Sequence, residues 1–176
     1  MSRRTLTQRE AEQEARKLLA EASVAGPPVD VDALARIAGA EVRRRPNSPD
    51  ISGLLYRQDD DLIIGVNADD SPARQRFTIA HEIGHLRLHK SGFFVDRAYR
   101  ASRENLPSDP DEERQANWFA AELLMPETMI TTVARNVVDQ RSVTDDALIG
   151  ALAERFNVSR QAMGFRLLNL GVVNGL

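Results

Sequence analysis

The stretch His81-Glu82-Ile83-Gly84-His85 constrains this chain more than any other feature, because it sets three polar side chains into an apolar helix. Residues i and i+4 share one face of an α-helix, so both imidazoles can point at one ion. Glu82 stands beside them, where a carboxylate can take a proton from an attacking water. Around the motif, Phe77, Ile79, Ala80, Ile83, Leu86 and Leu88 give the continuous hydrophobicity of a buried helix. Ser71 suits its N-cap and Pro72 its first helical position. A lone histidine on an apolar face is more often a satisfied core residue than a ligand. Here two of the three histidines flank a glutamate at ligand spacing, and burying all three groups with no ion to pair with would be costly. The motif predicts a divalent-metal site.

The rest of the composition narrows the setting. A chain of 176 residues can build one ordinary domain with a real core, or one domain and a small appendage. Its formal net charge of −3 argues against wholesale coating of nucleic acid. No apolar run approaches membrane-spanning length, so no membrane association is expected. The opening Met1-Ser2-Arg3-Arg4-Thr5-Leu6 runs into Gln, Glu and Arg rather than an apolar signal core, which predicts no secretion signal. The absence of cysteine excludes disulfides and thiolate ligands, leaving His and carboxylate to hold any metal. Together these features point to a cytoplasmic location.

Along the chain, an amphipathic repeat (Ala11, Ala15, Leu18, Leu19, Ala22) predicts a helix from about Thr7 to Ser23, stopped by Gly26-Pro27-Pro28. Asp30 suits the cap of a short helix reaching Ala40, with Leu34, Ile37 and Ala38 inward. A strand pair is expected over Ile51 to Gln58 and Leu62 to Asn67, joined by a turn at Asp59-Asp60-Asp61. A small sheet packed against the metal helix follows. Phe93-Phe94-Val95 can add a short strand, and Arg97 to Ser108 reads as a charged loop, either a flap beside the site or a plain connector. A second helix opens at Asp109-Pro110, with Asp109 as N-cap and Glu112 placed to close a capping-box-like pair with it. It continues through Ala116, Phe119, Ala120, Ala121 and Leu124 to Pro126, its alanines allowing close approach of another helix. Beyond Pro126 the pattern is helical, with Thr144 and Ser159 as caps of helices running to about Phe156 and Asn169.

Two histidines alone do not hold a catalytic zinc ion firmly; such sites use a third protein ligand and leave a fourth position open. Glu113 is the chosen third ligand, because Glu112 has a capping role and Asp111 lies in the fraying first turn. The competing reading takes Glu112 and Glu113 simply as acidic residues that favour a helix N-terminus. Asn117, one turn after Glu113, is placed to orient a ligand histidine. His89 shares the face of His81 and His85 but lies roughly 12 Å along the axis from His81, too far for all three to bind one ion. The chemistry expected is attack of an activated water on a carbonyl, with Glu82 taking the proton and returning it to the leaving amine. Arg74, Arg76, Tyr56 and Tyr99 are candidates to stabilise the oxyanion, and the sequence does not choose among them. Manganese or iron would also suit a His/Glu donor set.

The segment Arg74 to Leu86 resembles the signature of the ImmA/IrrE-type metallopeptidases. Glu113-Arg114-Gln115-Ala116-Asn117 through Met125-Pro126 is similar to that family's second hallmark, and Ser52-Gly53-Leu54-Leu55 and Ile63 to Asn67 match its usual lead-in. The resemblance spans roughly residues 50 to 126. It implies an α+β, zincin-like minimal metalloprotease core with added N- and C-terminal helices, zinc bound by His81, His85 and a glutamate, and Glu82 as base. It favours Glu113, the first position of the family's Glu-x-x-Ala-Asn element. It also implies a protein substrate, a helix-turn-helix repressor often encoded nearby, whose cleavage switches on stress, phage or mobile-element genes. Other members work in toxin–antitoxin-like modules, so a non-proteolytic regulator with a structural metal site is the alternative. Within these 176 residues the C-terminal sensor domain that some members carry is not expected, and a sensor, if one regulates the chain, is expected elsewhere.

The division expected is a metallopeptidase domain over residues 1–140 and a helical extension over 141–176 packed on it. Leu152 to Met163 reads like a helix-turn-helix, with Ser159 capping the would-be recognition helix. Yet from Val143 to Leu176 three arginines stand against two aspartates and one glutamate, a neutral balance that argues against direct DNA binding.

Overall fold

Most helix starts in this protein are marked by a side chain that accepts a free backbone amide. In the computed structural model, which describes residues 5–47, 52–58, 61–89, 109–138 and 144–173, Thr7 caps α1 (Gln8–Glu21) in a complete capping box with Glu10. Asp30 caps α2 (Val31–Ile37), Ser71 α3 (Pro72–Leu88) and Asp109 α4 (Pro110–Leu124). After α5 (Glu127–Val138), Thr144 caps α6 (Asp145–Phe156) and Ser159 caps α7 (Arg160–Asn169). The Asp109 carboxylate accepts from the Asp111 amide rather than pairing with Glu112 in the predicted box, and Glu112 is buried.

Between α2 and α3 lie β1 (Glu41–Arg45), β2 (Gly53–Gln58) and β3 (Asp61–Asn67). β3 is central: β1 runs parallel to it, and β2 antiparallel, with Leu55 opposite Ile64. α3 lies between this sheet and α4, and α1 backs α4. Leu18, Leu34, Ile64, Ile79, Ile83, Phe119, Leu123, Phe156 and Met163 belong to one buried cluster that joins the layers. The architecture is α+β. No described helix is long and apolar enough to cross a membrane.

Several boundaries differ from expectation. α1 has already ended when the chain reaches Gly26, since Ala22 is its C-cap and Ser23 takes a positive φ of 52°. α2 stops at Ile37 because Gly39, at φ 89°, turns the chain toward β1. The amides of Gly39 and Ala40 then return to the carbonyls of Arg36 and Ala35. Ile37 is therefore not inward but 47% exposed. β1 was not anticipated at all. The predicted strand at Phe93-Phe94-Val95 and the loop from Arg97 to Ser108, with Tyr99, lie outside the described residues.

The close approach of α3 and α4 depends on Gly84. A Cβ there would stand 3.1 Å from the Ala116 Cα and 3.2 Å from the Ala116 carbonyl oxygen, both backbone atoms. Gly84→Val should therefore push the helices apart and destabilise the fold by about 1–3 kcal/mol. A thermal melt of the variant within a degree of the wild type would show that the gap is not needed.

Candidate metal centre

The Gly84–Ala116 contact carries Glu113, one turn before Ala116, to the histidine face of α3. His81 Nε2 and His85 Nε2 lie 3.1 Å apart. Glu113 Oε2 is 3.3 Å from the first and its Oε1 is 3.5 Å from the second. Ligand atoms about 2.0–2.1 Å from a tetrahedral ion would be separated by roughly 3.3 Å, so this spacing suits a single divalent cation. His81, His85 and Glu113 form a group whose ligand atoms all lie within 4.8 Å of one another. His85 is 5% exposed and Glu113 39%, so the cluster is enclosed on the helix side and open on the carboxylate side.

Proton placement favours the same conclusion. The Asn117 amide oxygen lies 3.0 Å from His81 Nδ1 and can only accept, so that nitrogen carries hydrogen and, in the neutral ring, Nε2 offers a lone pair. Two nitrogen donors and a carboxylate thus face one point. Without an ion, hydrogen bonds from the protonated His81 and His85 rings hold the Glu113 carboxyl well below the usual carboxylate range, despite its partial burial. A cation between the three groups would take the place of those protons. Burial works against a charged His81 ring, but Glu113, Glu82 and Asn117 outweigh it, and the His81 pKa is raised. The site attracts positive charge. The donor set fits a divalent cation.

The Glu82 carboxylate lies toward the start of β2 and close enough to His81 to favour its charged form. A Cβ built on Gly53 would collide with Thr78 Cγ2 and stand 3.6 Å from Glu82 Oε1, so the missing side chain lets β2 approach α3 closely beside the carboxylate. Phe77 stacks on His81, with ring centroids 6.2 Å apart. A cavity of about 570 Å³ begins at Phe77, Asn117 and Arg74 and runs between α4 and α7 to Phe165.

The four oxyanion candidates separate cleanly. Arg74 borders this cavity and donates from Nε to Ser52 Oγ at 3.2 Å. Arg76 is turned away, donating from Nε to the Asn157 carbonyl and from Nη1 to that of Val29. Tyr56 is also misplaced for the role: Gly53 faces α3, so with the two-residue alternation of a strand Tyr56 faces the opposite side, where its ring covers Gly65. Tyr99 is outside the described residues. Sequence reasoning gave no function to His89 or Gln115. His89 Nδ1 lies 3.1 Å from His85 Nδ1, and its Nε2 3.0 Å from Gln115 Oε1. The spacing of four from His85 to His89 is the one signal that could have suggested contact.

A small mixed sheet, a helix bearing two histidines and a following helix bearing a glutamate together define a zincin-like, metallopeptidase class of protein. The chain belongs to the Peptidase_M78 family, whose model, the IrrE N-terminal-like domain, matches residues 35–168. A Mycobacterium tuberculosis transcriptional regulator of known structure has a similar fold, with a TM-score of 0.59 at 20% identity. The likeness covers 89% of this chain and 46% of the regulator, so the chain spans about half the length of that relative. No curated protein matches the chain.

Proposed function

We propose that this protein is a zinc-dependent, site-specific endopeptidase that cleaves a helix-turn-helix repressor in the cytoplasm and so releases that repressor's genes. The observation that carries the reading is the convergence of His81 Nε2, His85 Nε2 and the Glu113 carboxylate within 4.8 Å. Zinc held there would act as a Lewis acid that acidifies water and polarises a carbonyl, and manganese or iron could serve with the same donors. Glu82 takes the proton of the attacking water as the new C–O bond forms. It then gives that proton to the amine as the C–N bond breaks. Asn117 fixes the tautomer and orientation of His81. Arg74, at the mouth of the cavity, is the best-placed of the described candidates for the oxyanion.

The substrate side follows from β2. Its outer edge has no ladder partner among the described residues, and it begins beside Glu82. An extended peptide added to that edge would gain backbone hydrogen bonds and pass the carboxylate. The repressor target itself rests on the family resemblance. A purely structural metal site is disfavoured because such sites are closed by four protein ligands, whereas three come together among the described residues and the Glu113 carboxylate is partly exposed. Direct DNA reading by α7 is disfavoured too: Arg166 is buried, and Arg160 is paired with Asp146.

The test uses the purified protein with the repressor encoded beside it, and mass spectrometry of the products. Cleavage at a defined bond should stop on chelation and return with added zinc. Fragments formed equally well in excess chelator would refute metal-dependent proteolysis.

A further inference from the structure

The two ligand histidines are held differently. His81 meets an amide oxygen directly, through Asn117. His85 meets another imidazole, that of His89, which in turn meets Gln115. We propose that His89 and Gln115 form a hydrogen-bond relay that fixes the His85 ring with its Nε2 lone pair turned to the ion, making His89 a positioning residue. The inference rests on reading His81, His85 and Glu113 as the ion's ligands.

Each step of the relay sets the next. Gln115 Oε1 has no hydrogen to give, so His89 Nε2 donates across the 3.0 Å contact. A neutral His89 with hydrogen on Nε2 has a bare Nδ1. His85 Nδ1, 3.1 Å away, must then be the donor. A neutral His85 with hydrogen on Nδ1 has a bare Nε2, the atom that faces His81 Nε2 and Glu113 Oε1. The reverse order would put a hydrogen on His85 Nε2, where a cation could not bind. Only one direction serves the site.

The surroundings protect this order. Gln115 is 3% exposed, so bulk water has little access to replace its oxygen. The backbone holds the middle of the relay, because the His89 amide caps α3 by donating to the His85 carbonyl at 3.0 Å. This folds the His89 ring back against that of His85, with centroids 5.1 Å apart and planes tilted by 51°. An extended backbone at His89, φ −117° and ψ 93°, ends the helix at that point. The helix end and the ligand orientation are thus one arrangement.

Zinc affinity of the full chain, measured by competition with a chromophoric chelator, tests the relay without reference to catalysis. His89→Phe keeps the ring's bulk but removes the acceptor for His85, and should weaken zinc binding by about 10–100-fold. His89→Gln supplies an amide oxygen in place of Nδ1 and should recover most of that loss. Cobalt(II) absorption should change for His89→Phe and return toward the wild type for His89→Gln. Should the Phe variant fail to fold, Gln115→Met removes the far end of the relay and should weaken binding in the same direction. Gln115→Glu keeps an acceptor and should retain affinity; a loss there would reverse the donor order and overturn the relay. Wild-type zinc affinity in His89→Phe would also overturn it, as would a His89→Gln protein no better than His89→Phe. Both results leave the ligand assignment standing. A wild-type chain that takes up no zinc would instead remove the ligand reading itself.

Discussion

Glu82→Gln should lower the rate of peptide cleavage by about 10²–10⁴-fold while zinc remains bound at the wild-type level. The amide has nearly the shape of the carboxylate but cannot accept the proton released as water attacks. Glu82 is absent from the metal-ligating group, and its carboxylate lies toward Gly53, so the substitution leaves the donors in place. This separation of chemistry from binding distinguishes a base from a ligand. Turnover should therefore fall with little change in metal content, measured on the same preparation by fragment quantitation and elemental analysis. Undiminished cleavage in Glu82→Gln would remove it from the mechanism. Undiminished derepression with cleavage abolished would favour a regulator that works by binding alone.

Arg166→Met should cost about 3 kcal/mol of folding stability, because it removes the buried cation beside Glu122 and leaves that buried carboxylate only the more exposed Arg16 as a partner. Arg166 is 4% exposed and Glu122 is 1% exposed. The Arg166 guanidinium bonds Glu122 Oε2, reaches Glu12 Oε1 at 3.1 Å and donates to the Met125 carbonyl at 3.2 Å. Burial pushes the Glu122 carboxyl up, while Arg166 and Arg16 pull it back toward the ionised form. One side chain of α7 thereby ties together α1, α4 and the end of α4. Adding Glu122→Leu to Arg166→Met removes the stranded charge and should recover a large part of the loss, since apolar replacements of buried pairs are often neutral. Denaturant unfolding of both variants gives the comparison. A single variant as stable as the wild type would mean that α7 is not anchored by this network. A double variant no more stable than Arg166→Met alone would contradict the stranded-charge account.

What the sequence revealed, and what it hid, follows from the range of the interactions. The helix bearing His81 and His85 and the helix bearing Glu113 were legible because spacing, caps and apolar neighbours are all local. Asn117 could be placed beside a ligand by its one-turn offset from Glu113. β1 was hidden because Glu41, Arg43, Arg44 and Arg45 carry little apolar pattern, and its ladder with β3 joins residues distant in sequence. One of its arginines is satisfied at a distance as well: Arg44 bonds both carboxylate oxygens of Asp32 and reaches Gln75. Ile37 illustrates the converse, an apolar residue at helical spacing left exposed because Gly39 ends α2 early. The relay through His89 depends on Gln115 from another helix. Arg166 follows the helix-turn-helix-like stretch on the helix capped by Ser159, and its partners, Glu12 and Glu122, are both far away in the chain.

Metal content and coordination test the central claim most directly. X-ray absorption on the purified protein should show a single zinc ion per chain, with imidazole nitrogen and carboxylate oxygen at about 2.0–2.2 Å. Glu113→Ala should lose the oxygen contribution and most of the bound ion. A protein that binds no divalent ion, or one whose metal shell is unchanged in Glu113→Ala, would contradict the account.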